Sequence, residues 1–244
     1  MAFLGIFGKK SDAVGSPAVR KHAERVANKR AQAYDRWESI QALSQMHSQE
    51  AVTALLPRFT FYVEPSITDQ EEKDAAFAGI VDAGALGLEP IVAFLKKSDS
   101  ISWPLKMLDK IVPPEVVVAH LIDLLAGMDV EYERDPERKI QILNTLAERN
   151  DARVTDAVAR FVGDSNETVR FAAVGAIIGQ QAAAAHHAAL VACLCVEDSV
   201  RVRNRILDAF GAANLSVSPD QERVRARLTA GYALDSSFVP RKKS

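Results

Sequence analysis

The sequence has little that would support covalent or metal chemistry. It holds two cysteines, Cys193 and Cys195, too few for a disulfide framework, which points to a reducing compartment and a cytoplasmic location. Two positions apart on a helix, they point about 200° from each other, so they neither chelate one ion nor bridge easily. Of the histidines, His22, His47 and His120 have no partner spacing for acid–base work, and His186–His187 lacks a third and fourth ligand for a metal. No catalytic constellation, cofactor motif or metal set is therefore expected. No apolar run approaches the roughly 20 residues needed to cross a bilayer. The short N-terminal apolar stretch is followed, not preceded, by Lys9 and Lys10, which is no secretory pattern. Ala2 stands where N-myristoylation requires glycine. Aromatic residues make up only 7% of the chain while alanine is abundant, which suits closely packed helices better than sheets.

Charge is unevenly placed. Residues 1–36 carry eight Lys/Arg against three Asp/Glu, residues 201–244 carry nine against four, and the middle is left at −12 within an overall −2. Phosphate recognition needs positive charge along its track, so an acidic body with two basic ends argues against nucleic acid as the partner.

What the chain does have is a repeat. Residues 166–210 contain an apolar stripe at helical spacing, a break, a second apolar helix and then the first pattern again. Val169–Arg170 is answered by Val202–Arg203 after 33 residues. Taking Arg170 as reference, small or apolar residues follow three, four and seven places later: Ala173, Val174 and Ile177. The same offsets follow Arg36, Lys73, Lys139 and Arg203. In the third unit Pro104 holds the reference position, yet Leu108 and Ile111 keep the stripe. Offsets of three, four and seven mark one face of an α-helix. A second stripe trails each first one, from Val52, Leu55, Leu56 and Phe59 to the weaker Val224 and Leu228. Helix-start chemistry falls between them: Ser16–Pro17, the Thr68-x-x-Glu71 capping box, Pro114 and Asp135–Pro136. Pro104, Pro113 and Pro114 make the third unit the expected place for a bend.

The pattern Asp164…Val169–Arg170…Ala173, answered by Asp198…Val202–Arg203, resembles HEAT-repeat proteins, including the bacterial HEAT-like repeats also seen in phycobilisome lyases. The resemblance covers residues 34–215. It implies an all-α chain, an α-solenoid of about six antiparallel helix pairs in a right-handed superhelix with an N-terminal capping helix. It also implies that Asp164, Arg170, Asp198 and Arg203 tie neighbouring repeats together, with Lys73 and Lys139 in the same position. Family function is open, because such arrays serve many tasks. The iron ligands of HEAT-type hydroxylases are missing, since no His–Glu dipeptide occurs. An accessory or lyase-like enzyme subunit is the alternative to a non-enzymatic scaffold.

The expected division is a segment 1–16, a basic capping helix 17–33, repeats over 34–231 and a flexible basic tail 232–244 with Phe238–Val239 as a docking dipeptide. Phe3, Leu4, Ile6, Phe7, Lys9 and Lys10 form an apolar patch beside cations, fit for a membrane surface or a docking groove. In such arrays the second helices line the concave surface. Arg58, His120, Arg153 and Arg160 lie off the apolar stripe there and are the expected contacts to a protein partner.

Overall fold

The computed structural model describes residues 16–243. The apolar N-terminal patch from Phe3 to Lys10 lies outside them. The described residues form thirteen α-helices and one two-stranded sheet, so the all-α expectation holds apart from a short hairpin near the C-terminus.

Helix α1 (Pro17–Val26) starts where Ser16 accepts a hydrogen bond from the Val19 amide at 3.3 Å and Pro17 fills the first helical position. It ends at Val26, short of the expected 33, because Asn28 folds its side chain onto the Arg30 amide. Twelve further helices follow, in chain order α2 (Ala33–Ser44), α3 (Gln49–Leu55), α4 (Ser66–Asp82), α5 (Leu88–Lys97), α6 (Ser102–Ile111) and α7 (Pro114–Ala126). Then come α8 (Glu137–Ala147), α9 (Arg153–Ala159), α10 (Glu167–Gly179), α11 (His187–Val196), α12 (Val200–Ala212) and α13 (Gln221–Arg225). The stripes read from sequence form the core. Ile40, Ala76, Ile80, Leu108, Ile142, Leu146, Ala173, Ile177, Ile206 and Phe210 are all fully buried.

Side-chain caps from Ser16, Ser48, Asn166 and Ser199 open α1, α3, α10 and α12, and two other helix starts differ from the sequence expectation. The Thr68-x-x-Glu71 box is not used. Pro65, whose ring fixes φ, takes the N-cap and α4 begins at Ser66, putting Thr68 inside the first turn. Pro136 likewise sits at the N-cap of α8, while Asp135 accepts from the Glu137 amide at 3.2 Å. Pro104 lies in the first turn of α6, where an amide would have no intrahelical partner, so it leaves the helix whole.

The chain divides into two compact units, one holding the described residues up to Ser98 with Ser102–Val112, the other Asp99–Ile101 with the chain from Pro113. In sequence the boundary falls between α6 and α7, at Val112 and Pro113. In the first unit α2 packs on α4 and α4 on α6, while α3 packs on α5. Gly79 lets α4 come close to α2, since a Cβ there would lie 2.0 Å from Ser44 Oγ. At the end of α3 a 3₁₀ turn, Leu56–Thr60, carries Arg58 into an ionic cluster. Glu72 accepts from Arg36 Nε at 2.9 Å and from Arg58 Nε at 2.7 Å. Asp69 accepts from Arg58 at 2.7 Å, from Lys73 Nζ at 2.7 Å and from the Val63 amide at 3.1 Å.

In the second unit α8, α10 and α12 pack in succession, as do α7 with α9 and α11 with α13. Residues 232–243, expected to be a flexible tail, are folded. Strand β1 (Tyr232–Leu234) pairs antiparallel with β2 (Pro240–Lys242). Tyr232 and Val239 are buried, so Val239 is no exposed docking residue. The Tyr232 hydroxyl donates to Asp208 at 2.6 Å, and Asp235 closes the turn by accepting from the Val239 amide at 3.0 Å and from Arg241 at 2.9 Å. Gly211 admits β2 against α12, because a Cβ there would meet the Pro240 carbonyl at 2.7 Å.

Candidate functional site

A groove of 510 Å³ opens between two second helices of the second unit. One wall is the end of α9 and the 3₁₀ turn Arg160–Gly163 that continues it, contributing Ala159, Val162 and Gly163; the other is α11. Helix α11 buries Leu190, Val191 and Leu194 and turns Ala188, Ala189, Ala192 and Val196 outward. Its backbone is held by the large residues on the buried face, while alanine on the open face leaves the space beside it unfilled. Val196, at the groove's end, is 63% exposed.

The base of the groove is ionic, and each charge there is committed. Arg170 grips Glu197 through Nε at 2.6 Å and Nη2 at 2.8 Å, a forked geometry that adds direction to the attraction. Its Nη1 donates to the carbonyls of Asp164 at 2.9 Å and Ser165 at 3.1 Å. Asp164 takes Lys139 Nζ at 3.0 Å, both side chains being buried. Burial pushes the Glu197 carboxyl up, but the Arg170 hydrogen bonds outweigh it and hold the group below its ordinary value. Burial pushes the Cys193 thiol up to about 12, and its sulfur lies 3.9 Å from a Glu197 oxygen. A thiol so protonated is no nucleophile at neutral pH. The groove therefore offers apolar surface bounded by fixed charges. Among the described residues, no group of three or more His, Cys, Asp and Glu is arranged to hold a metal ion, and no single helix is long and apolar enough to cross a membrane.

The four residues expected to contact a partner are absent from the groove lining. Arg58 is fully buried, so its expected role on a surface is corrected: it belongs to the ionic cluster of the first unit. Arg153 forks onto Asp151 and donates to the Glu115 carbonyl at 2.8 Å, tying α9 to the start of α7. The Arg153 hydrogen bond draws Asp151 down to about 2. Arg160 donates to the carbonyls of Leu125 at 2.6 Å and Ala126 at 3.2 Å, and to that of Met128, capping the end of α7. His120 is half-buried on α7.

Arg170 and Arg203 bind backbone carbonyls in the same way, but the acid in register before Arg203 is Glu197, not Asp198. Arg203 donates to the carbonyls of Glu197 at 2.8 Å and Asp198 at 3.1 Å, as Arg170 does to Asp164 and Ser165. Glu197, six residues before Arg203, thus stands where Asp164 stands before Arg170, and both accept from the amide of the following N-cap, Ser199 or Asn166, at 2.8 Å. Asp198 is instead 90% exposed and pairs with Arg227 at 2.8 Å. Lys139 makes the same kind of tie as Arg170. Lys73 pairs within its own helix, with Asp69 four residues earlier. Sequence reasoning missed Glu72 and Glu197, whose only signal was an acidic residue at the next turn. The alanine-rich sequence of α11 suggests only that another helix could approach it closely, and Ala159 and Val196 carry no signal of their own.

A second groove, of 420 Å³, lies between α3 and α5 in the first unit, with Leu56, Pro57, Ala93 and Phe94 as its apolar walls and Gln49 and Glu89 at its edge. Compared with known proteins, the chain matches no family model, no curated protein and no solved structure.

Proposed function

We propose that this chain is a non-enzymatic protein-binding scaffold, an α-solenoid of about six HEAT-like helix pairs whose second helices hold a protein partner. The observation that carries this reading is the 510 Å³ groove beside α11, walled by Ala159, Val162, Ala189, Ala192 and Val196 over charges that are already paired. Small side chains on an open helix face let a partner backbone approach closely, and fixed ionic rims give orientation at little desolvation cost. Two further features agree. Within each unit, first helices stack on first helices and second on second, and Arg170 and Arg203 repeat one carbonyl-binding geometry 33 residues apart, as a stacked array requires. The acidic middle of the chain favours a protein over nucleic acid.

Cross-linking and affinity recovery from native cells, with Ala192→Arg run beside the natural chain, tests the proposal. A protein recovered with the natural chain and reduced at least tenfold with Ala192→Arg, at unchanged thermal midpoint, is the expected result. Equal recovery by both forms removes the groove from the binding surface, and repeated recovery of no protein overturns the scaffold reading.

A further inference from the structure

The 420 Å³ groove of the first unit carries charge of both signs, placed evenly about its middle. We propose that it seats a second copy of this chain, each α5 lying antiparallel in the groove between α3 and α5 of the other. Two charged residues line the groove, Glu89 and Lys97, and Ala93 stands four residues from each. Residues four apart share one face of a helix, and eight residues advance about 12 Å along it. Glu89, Ala93 and Lys97 are all exposed, so α5 presents an acid, a methyl group and a base in one row. A two-fold axis through Ala93 lays that row on its own copy in the reverse direction. Glu89 then meets Lys97 of the second copy, and Lys97 meets its Glu89. The two Ala93 side chains face each other at the axis, small enough for the helices to approach closely. A parallel pairing in register would set like charges together, which fixes the direction.

The rest of the groove suits the same occupant. Pro57 and Phe94 are half-buried in the single chain, and covering them in both copies supplies attraction that exposed ion pairs do not. Gln49 Nε2 donates to Glu89 Oε2 at 2.8 Å, which steadies the carboxylate at the groove's edge and leaves Oε1 for an ammonium group. Antiparallel α5 helices also oppose their dipoles. Helices α3 and α5 pack together and are about 10 and 15 Å long, so the face they offer is about 300 Å² per copy. That is less than half of the roughly 800 Å² per partner of a standard stable complex, so the dimer is a weak one that forms at high protein concentration. This surface is independent of the groove beside α11 and stands or falls separately from the scaffold reading.

Sedimentation velocity of the full chain at up to about 0.5 mM, which covers the weak range, tests it with reciprocal charge variants. The natural chain is expected to dimerise. Glu89→Lys sets bases opposite each other across the axis and Lys97→Glu sets acids, so each alone is expected to weaken self-association about tenfold or more. Circular dichroism of each variant checks that the helices are intact. An equimolar mixture of the two variants is expected to recover the dimer, because both contacts across the axis are again between opposite charges. Ala93→Cys should join two copies by a disulfide at least tenfold faster than Tyr34→Cys, which is exposed on α2 of the same unit. The native Cys193 and Cys195 are buried and do not compete. A natural chain that stays monomeric over the whole range overturns the proposal, as does a mixture that associates no better than either variant alone. A dimer kept by both charge variants and lost with Ala192→Arg overturns it in favour of the groove beside α11.

Discussion

Arg58 shows how much a single side chain depends on its surroundings. It is fully buried, as are Glu72 and nearly so Arg36, and an ion taken out of water costs several kcal/mol unless its partners are close and complete. Here they are: Glu72 lies between two guanidinium groups, and Asp69 lies between Arg58 and Lys73. Burial alone would raise the Asp69 carboxyl, yet the hydrogen bonds from Lys73 and Arg58 hold it below its ordinary value. Removing one member is therefore worse than never having had the cluster. Glu72→Gln keeps the volume and strips the counter-charge from two buried arginines, and it is expected to cost about 3–5 kcal/mol. Urea denaturation checks this through the midpoint, with the slope unchanged; a shift below about 1 kcal/mol would show that the arginines reach water or another anion.

Among the elements, α7 ends without a glycine in the left-handed conformation, and Gly127 has an ordinary right-handed backbone. Its last carbonyls are answered by Arg160, reaching across from the 3₁₀ turn after α9. A cation there satisfies orphan acceptors and opposes the helix dipole. Arg160→Ala is expected to cost about 1 kcal/mol and to speed amide exchange in the last turn of α7, with little change in α8. Arg160→Lys should recover only part, since an ammonium lacks the fork that spans several carbonyls. The helices themselves were legible because a three, four, seven stripe has one period and the core obeys it. The 3₁₀ endings were not, and they explain the misplacement of Arg58. On an α-helix Arg58 sits about 300° beyond Leu55, whereas one 3₁₀ turn brings residues three apart into register. Arg58 therefore points inward with Leu55, which is buried. The hairpin was missed for another reason: strands of three residues are too short to show alternation, and their order comes from Asp208, Asp235 and Gly211, which mean nothing until α12 and the turn are in place. The grooves were partly legible, as alanine-rich sequence in α11, but their walls come from helices more than 25 residues apart.

Across the whole molecule, a near-neutral total conceals six carboxylates whose ionised form is favoured by their partners. Hydrogen bonds from Arg201 draw Glu167 down to about 2, Arg153 does the same for Asp151, and Asp69, Glu197, Asp208 and Asp235 are also lowered. A carboxyl whose folded pKa lies below its unfolded one binds more protons when unfolded. Its contribution to stability is complete above the unfolded pKa, about 4 to 4.5, and is lost as pH falls through the folded value. Burial also lowers His22, beside Ser39 at 3.1 Å, so a small loss begins below its ordinary 6.5. Taken at face value, the Glu167 shift is worth about 3 kcal/mol. With its side chain 33% exposed and Arg201 50% exposed, solvent screening reduces that to about 1 kcal/mol. The expected thermal midpoint is flat from pH 8 to about 6.5, declines slightly to about 5 and falls most steeply between about 4.5 and 2. As the acids neutralise, 30 Lys and Arg remain, and their repulsion steepens the same limb. Salt at about 0.5 M should weaken the contribution of the Glu167–Arg201 pair while leaving the buried Glu197–Arg170 and Asp69–Arg58 pairs nearly intact. Glu167→Gln should flatten the acid limb and lower the midpoint at pH 7. Melting curves followed by circular dichroism over pH 2 to 8 decide the matter: a midpoint that holds level or rises below pH 4 would mean that these carboxylates carry no net stabilising charge.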